Sequence, residues 1–216
     1  MIKAVIFDLD GVIIDSEGTW FQAGKELCAE YGHDYDMELY RKVMGGNGAK
    51  AIKEGLNLDD SAEIVKNKFM EKFLFLLKRN GIKKMGGIDA LLEKAKKDFV
   101  LALASSAPIR SIDFIIDELK IRGYFSVVMS GEHVKNSKPE PDIFLVTAEK
   151  LGIKPDECMV IEDSPNGIRA AKDAGMKCIA LKHPYVAEDD IRVAKADIIV
   201  ERLDEIKEKL LEELAA

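Results

Sequence analysis

The sequence has few cysteines, and their arrangement excludes one class of protein. Three cysteines, Cys28, Cys158 and Cys178, are widely spaced and lie among apolar neighbours. A secreted domain held together by disulfides would carry an even, denser set. We therefore interpret the three as small buried side chains, not as metal ligands or disulfide partners.

Long apolar segments and an excess of positive charge are also missing. No apolar run approaches the roughly 18 residues that cross a bilayer, and the net charge is −7. A broad surface for nucleic acid or for an anionic membrane is therefore not expected. Residues 1–4 lead directly into a strand pattern, which leaves no place for a signal peptide, so we expect a cytoplasmic protein.

The composition instead indicates a folded globular chain. Its 216 residues are 47% hydrophobic and 33% charged. This is enough apolar material for one large domain or two modest ones, and it lacks the signature of disorder.

The hydrophobic pattern divides the chain into two parts. Residues 17–77 have helical spacing and no convincing strand, and Asp60 with Glu63 forms a capping-box pattern before a long helix with an apolar stripe that includes Ile64. From Lys83 onward, strands and helices alternate. Strands are predicted at 99–104, 125–129, 158–161, 177–181 and 198–200, helices begin at 108, 141 and 165, and a terminal helix begins at about 203.

This alternation is typical of a parallel sheet with crossover helices. The first strand pattern, residues 5–7, cannot be stable alone and must join that sheet. We therefore predict an α/β core formed by residues 1–15 and 84–216, with residues 16–83 inserted as a helical cap. An inserted segment with two hinges and its own core is typical of a lid. A lid of this kind is compatible with a monomer.

The segment Asp8-Leu9-Asp10-Gly11 follows the first strand directly. Side-chain direction repeats every second residue of a strand, so both carboxylates would point the same way. One acid could then attack a substrate while the other transfers protons. A polar turn after a strand is an equally good interpretation of this segment alone. A calcium-binding loop is excluded because the further oxygen ligands are absent.

Three later segments also place polar residues at the ends of predicted strands. Ser105 and Ser106 offer hydroxyl and backbone N–H groups to a phosphate, although serines at such positions often only cap a helix. Lys138 stands in a proline-rich loop and is either a fixed charge or a surface lysine. Glu162 and Asp163 follow another strand, and acids there beside Asp8 would form a magnesium site.

In their order and residues these four segments resemble the motifs of the haloacid dehalogenase superfamily, in its β-phosphoglucomutase-like phosphatase branch. The resemblance implies a Rossmann-like core with an inserted cap. It implies that Asp8 is the nucleophile of an aspartyl-phosphate and that Asp10 is the general acid and base. Mg²⁺ would be bound by Asp8, the main-chain carbonyl of Asp10 and Asp163, with Glu162 nearby or bound through water. Ser105, Ser106 and Lys138 would hold the transferring phosphate.

Three functions remain open at this point. The first is a Mg²⁺-dependent phosphatase for a small phosphorylated metabolite, most simply a sugar phosphate. The second is a β-phosphoglucomutase, and the third is a non-catalytic binding protein on the same fold. Mutases of this branch usually carry a histidine where this chain has Trp20 and an arginine on the cap, and the segment 44–48 has none. These differences favour the phosphatase.

Overall fold

The structure, a computed structural model, describes residues 1–44, 48–182 and 195–206. The chain forms two compact units, one of Met1–Asp15 with Lys84–Ala216 and one of Ser16–Lys83. Of the segments singled out in the sequence, residues 45–47 lie outside the described residues. Most of the predicted terminal helix does so too, and the residues that precede this gap, Leu203–Glu205, form a short 3₁₀ turn.

Six strands form one sheet within the described residues: β1 (Ala4–Phe7), β2 (Val100–Ser105), β3 (Val127–Ser130), β4 (Cys158–Glu162), β5 (Lys177–Leu181) and β6 (Ile198–Val200). Their order is β3-β2-β1-β4-β5-β6, and all neighbouring pairs are parallel. The predicted α/β fold is confirmed. β3 begins later than expected because residues 122–124 form a 3₁₀ turn that ends at Phe125.

The helical unit contains α1 (Glu17–Glu30), α2 (Met37–Met44), α3 (Gly48–Gly55) and α4 (Ala62–Asn80). Its packing includes an aromatic cluster around Trp20. The Trp20 ring stacks on Phe73 with centroids 3.7 Å apart, and it meets the edge of Phe69 at 5.0 Å. One face of the indole is therefore covered by the core of this unit.

Two details of α4 correct the sequence-based expectation. Ser61, not Asp60, caps the helix, and its hydroxyl accepts the Ile64 N–H at 3.3 Å. Asp60 instead accepts hydrogen bonds from the Tyr31 hydroxyl and from Lys68, because a carboxylate one residue before the cap can reach both groups. Ile64 is 45% exposed and so does not belong to the buried stripe.

The core unit continues with α5 (Ile88–Ala95), α6 (Ile109–Glu118), α7 (Asp142–Leu151) and α8 (Pro165–Asp173). β1 and β4 are buried along their whole length, as their apolar sequences require of strands covered on both faces. Cys158 and Cys178 lie in this core, and they and Cys28 of the helical unit are free and buried. No helix in the described ranges has both the length and the apolarity of a membrane span.

Candidate active site

The candidate active site lies at the carboxyl ends of β1, β2 and β4. The Asp8 amide donates to the Ile161 carbonyl at 3.0 Å, so the pairing of β1 with β4 continues one residue beyond β1. Asp8 is therefore brought beside Glu162, the last residue of β4. The strand order reverses between β1 and β4, and open α/β sheets bind ligands at such a reversal.

Lys138 is buried among these acids and does not lie on the surface. Its side chain is 6% exposed, and its Nζ lies 2.5 Å from Asp8 Oδ1, 2.7 Å from Glu162 Oε1 and 3.2 Å from the Ala104 carbonyl oxygen. An ammonium has three N–H donors. All three have acceptors here, which fixes the direction of the lysine relative to Asp8. The ammonium also lies 4.9 Å from the centre of the Phe144 ring, within the range of a cation–π contact.

Glu162 is fully engaged in hydrogen bonds. Oε1 accepts from Lys138, while Oε2 accepts from the amides of Asp163 and Ser164 at 2.9 and 2.7 Å and from the Ser164 hydroxyl at 2.9 Å. A Cβ at Gly167, in the first turn of α8, would collide with this carboxylate. The missing side chain of Gly167 thus makes room for Glu162, whose carboxylate links Lys138 to the turn before α8.

Asp163 lies against the first loop, the segment after β1 that contains Asp10 and Gly11. A Cβ at Gly11 would collide with the Asp163 carboxylate, and Gly11 has a φ of +75°, a conformation that glycine adopts without strain. Only a residue without a side chain allows Asp163 to approach this closely. Asp163 is buried, whereas Asp10 is partly exposed. The predicted acids Asp8, Asp10, Glu162 and Asp163 therefore share one edge of the sheet.

The electrostatics of this edge follow from burial and from the excess of acids. Burial raises the pKa of Asp8 to about 7, with Lys138 opposing the rise and Glu162 adding to it. Burial, followed by the charges of Glu162 and Asp8, also holds the pKa of Asp163 well above its usual range. For Lys138, burial lowers the pKa, but the charges of Asp8 and Glu162 outweigh this effect and raise it overall. A site with this surplus of carboxylates favours the binding of a cation.

Ser105 and Ser106 lie at the end of β2, which pairs with β1. Ser105 is buried, and its Oγ accepts the Ala107 N–H at 3.1 Å, while Ser106 is exposed. The two serines thus begin the loop that leads into α6. Both are on the same edge of the sheet as Asp8.

The pair of residues that closes the Lys138 loop was not singled out in the sequence. Asp142 Oδ2 accepts from the Asn136 backbone amide at 3.2 Å and from its side-chain amide at 3.0 Å. Lys138 lies in the segment between Asn136 and Asp142. The two hydrogen bonds therefore restrict the loop that positions the lysine. An Asn and an Asp that flank a proline-rich segment were the available signal, since both residue types form such turns.

The oxygen donors at this edge are compatible with Mg²⁺. Across residues 1–44, 48–182 and 195–206, no three Asp, Glu, His or Cys side chains are grouped so that they could hold a metal by themselves. Mg²⁺ does not require such a group, because it keeps several waters and is usually bound by one or two carboxylates. Asp8 and Asp163 supply two carboxylates, and the closeness of Asp163 to Gly11 brings it to the main chain of the first loop.

Comparison with known proteins gives consistent results. The sequence pattern of the haloacid dehalogenase-like hydrolases matches residues 5–181. The phosphorylated carbohydrates phosphatase of Thermotoga maritima is 38% identical over 186 residues, which cover 82% of this chain and 84% of that protein. The crystal structure of CbbY from Rhodobacter sphaeroides in complex with xylulose-(1,5)bisphosphate has 28% identity and a TM-score of 0.83, with 95% of this chain and 96% of that chain covered. The crystal structure of β-phosphoglucomutase from Clostridium difficile has 26% identity and a TM-score of 0.84, with 100% of this chain and 97% of that chain covered.

The family match begins at β1 and ends at β5, so it includes every strand that borders the site. The similar solved structures extend over nearly the whole chain and include a β-phosphoglucomutase. The chain therefore belongs to the haloacid dehalogenase-like hydrolases, in their β-phosphoglucomutase-like branch.

Proposed function

We propose that the chain is a Mg²⁺-dependent phosphatase that hydrolyses a small phosphorylated metabolite, specifically a sugar phosphate, through an aspartyl-phosphate on Asp8. One observation carries the proposal: the Asp8 side chain is 7% exposed at the end of β1 and is held 2.5 Å from the ammonium of Lys138. A carboxylate that is fixed and charge-paired at a ligand-binding edge suits nucleophilic attack on a phosphate ester.

In the first half-reaction, an Asp8 oxygen forms a bond to phosphorus and the bond from phosphorus to the ester oxygen breaks. The departing alkoxide needs a proton, and Asp10 supplies it as the general acid. Asp10 is suited to this step because it lies two residues from Asp8 and is partly exposed, so it can reach a bound ligand and exchange protons with solvent. The products are a free alcohol and a phosphorylated Asp8.

In the second half-reaction, Asp10, now ionised, takes a proton from water while the water oxygen attacks phosphorus. The bond between phosphorus and the Asp8 oxygen breaks, which releases inorganic phosphate and restores the Asp8 carboxylate. The proton taken from water leaves Asp10 protonated again, ready to act as the general acid in the next cycle. Two in-line displacements thus replace one difficult hydrolysis.

Ser105, Ser106 and Lys138 would hold the transferring phosphate. The Ser105 hydroxyl and the Ser106 loop lie on the strand next to β1 and offer hydrogen bonds to its oxygens. Lys138 compensates the charge of Asp8 and Glu162, so that a dianionic ester can approach a carboxylate. Because its three N–H donors already have protein acceptors, we assign to Lys138 mainly the orientation and neutralisation of Asp8.

The Asp8 and Asp163 carboxylates and the main-chain carbonyl of Asp10 would hold Mg²⁺. Glu162 would attract the ion through its negative charge or bind it through a bridging water, since both oxygens of Glu162 are already hydrogen bonded. When bound, the ion would neutralise charge on the phosphate oxygens and align the ester for attack.

A second candidate is a β-phosphoglucomutase, which the structural likeness to the Clostridium difficile enzyme supports. Two observations favour the phosphatase. Trp20 stands where mutases usually have a histidine, and an indole nitrogen donates a hydrogen bond but cannot accept a proton. The Thermotoga maritima relative, which is more similar in sequence, is named a phosphatase of phosphorylated carbohydrates.

We propose that the chain acts as a monomer in the cytoplasm.

A screen of phosphorylated metabolites with detection of released phosphate tests this proposal. We expect Mg²⁺-dependent release from one or a few sugar phosphates, and trapping of radioactive phosphate on the protein after brief incubation with the best one. An active enzyme whose label is not on Asp8 would contradict the mechanism. Absence of release from any ester, together with binding of the same compounds, would favour the non-catalytic binding protein.

A further inference from the structure

The loop that follows β2 is fixed by a buried hydroxyl on the neighbouring strand. Ser130, the last residue of β3, pairs in register with Ser105, and its hydroxyl donates to the Ala107 carbonyl at 2.7 Å. The N–H of the same Ala107 donates to Ser105 Oγ at 3.1 Å. Both backbone polar groups of Ala107 are thus occupied, so the turn that begins at Ser105 is tied to β3.

The start of α6 is tied to the same place by Glu132. Pro108 occupies the N-cap position of α6 and makes no side-chain cap. Glu132, in the turn after β3, supplies the missing acceptor, since its Oε2 accepts the Ile109 N–H at 2.9 Å. A carboxylate at this position also interacts favourably with the helix dipole. The turn itself is ordered by hydrogen bonds from the Glu132 N–H to Ser130 Oγ and from the Ser130 N–H to His133 Nδ1.

The two segments also pack backbone against backbone. A Cβ at Gly131 would lie 3.1 Å from the Ser106 carbonyl oxygen and 3.2 Å from its Cα, which is closer than such atoms normally approach. The turn after β3 and the Ser105–Ser106 loop are therefore packed closely at residue 131, and a side chain there would require the neighbouring backbone to shift by a few tenths of an ångström. Gly131 stands between Ser130 and Glu132 in the sequence.

We propose that Glu132 is a positioning residue for the reaction of this site. Together with Ser130 it holds the Ser105–Ser106 loop in the place where that loop receives the phosphate. The inference rests on the proposed function, because it requires this loop to bind the transferring group. Glu132 acts through the Ile109 amide and the loop, and not on the reacting atoms. Displacement of such a loop by about 1 Å would weaken phosphate binding and misalign the in-line attack.

The test compares Glu132→Ala, Glu132→Gln and, as a matched control, Glu118→Ala, which removes an exposed glutamate from the other end of α6. The dissociation constant of inorganic phosphate is measured by calorimetry with Mg²⁺ present, alongside KM and kcat for the best ester and the melting temperature. We expect Glu132→Ala to raise the phosphate Kd and the KM about tenfold. Glu132→Gln should restore most of the affinity because its amide oxygen can still accept the Ile109 N–H, and Glu118→Ala should match the wild type.

A lower melting temperature with unchanged Kd and KM in Glu132→Ala would reduce Glu132 to a structural cap and overturn the inference. A glutamine variant as weak as the alanine variant would also overturn it, because the hydrogen bond would not be the cause. If Glu132→Ala does not fold, Ser130→Ala, which removes the bond to Ala107, must show the same rise in Kd. Failure of the wild type to hydrolyse any ester would refute only the proposed function. The phosphate Kd would still test whether Glu132 holds the Ser105–Ser106 loop in place.

Discussion

Lys138 Nζ lies 2.5 Å from Asp8 Oδ1, although 130 residues separate the two in sequence. The contact is made between side chains that are 6% and 7% exposed, so solvent hardly screens it. Glu162 binds the same ammonium at 2.7 Å. The lysine thus holds two carboxylates that would repel each other in its absence, and it leaves Asp8 fixed in direction before any substrate arrives.

Asp8→Asn should abolish turnover and leave the fold intact. The amide has nearly the same shape, and Lys138 keeps Glu162 and the Ala104 carbonyl as partners, but an amide cannot form the phosphorylated intermediate. The covalent step is expected to supply many kcal/mol, so the rate should fall by more than about 10³-fold. Steady-state kinetics and circular dichroism measure the two properties, with Asp98→Asn, an exposed aspartate, as control. A rate within a factor of ten of the wild type would refute the role of Asp8.

Asp10→Asn should slow phosphorylation in a way that depends on the leaving group. A sugar alkoxide needs a proton as it departs, whereas nitrophenolate does not. The loss should therefore be about 10²–10⁴-fold for an alkyl phosphate and clearly smaller for the first step with nitrophenyl phosphate. Single-turnover measurement of phosphoenzyme formation separates this step from hydrolysis. Equal losses for both esters would show that Asp10 supports the structure without transferring a proton.

The raised pKa of Asp8 predicts how stability changes with pH in the metal-free protein. Because the folded-state pKa of about 7 lies above the unfolded value near 3.8, the folded state binds more protons between these limits. Stability should accordingly fall as the pH rises from about 4 to 7, and the upward shift of the Asp163 pKa has the same sign. In chelator, the melting temperature of Asp8→Asn should decline less over this range than that of the wild type. Parallel curves would show that Asp8 does not contribute.

Activity should require Mg²⁺ and disappear in chelator. Ca²⁺ should substitute poorly, since its larger and looser coordination misaligns an in-line transfer. Mg²⁺ should also raise the melting temperature, because a ligand that binds only the folded state stabilises it. Asp163→Asn should remove most of this stabilisation and increase the Mg²⁺ concentration needed for activity, while Asp156→Asn, an exposed aspartate, should change neither. An unaltered Mg²⁺ response in Asp163→Asn would place the ion elsewhere.

Much of the core could be predicted from the sequence because its signals are local. A polar motif follows each of β1, β2 and β4, and parallel strands bring their carboxyl ends to one edge, so the placement of these motifs on one edge follows from the fold class alone. The strand β5 has the predicted bounds, Lys177–Leu181. The position of β1 between β2 and β4, which brings these motifs close together, was not predicted, because strand order depends on contacts between segments that are distant in sequence.

Other features depend on distant contacts that no local pattern encodes. Asp60 does not cap α4 but accepts hydrogen bonds from Lys68 of the same helix and from Tyr31, which is 29 residues away in the sequence. The occupation of both Glu162 oxygens depends on Lys138 and on the space left by Gly167. An acid pair after a strand predicts a metal site equally well whether or not one acid is already hydrogen bonded.

The fate of the phosphorylated Asp8 distinguishes a phosphatase from a mutase. In the sequence, Trp20 takes the place of the histidine that mutases of this branch usually carry, and an indole has no group that accepts a proton. We therefore expect Asp10 to activate water without restraint once the alcohol has left. We expect the phosphoenzyme to hydrolyse quickly, with one phosphate released for each ester consumed. Incubation with β-glucose 1-phosphate and a trace of glucose 1,6-bisphosphate tests this, with Asp8→Asn as the blank. Accumulation of glucose 6-phosphate with little free phosphate would identify a mutase, because only an enzyme that protects its phosphoenzyme from water can return the phosphate to the other hydroxyl of the sugar.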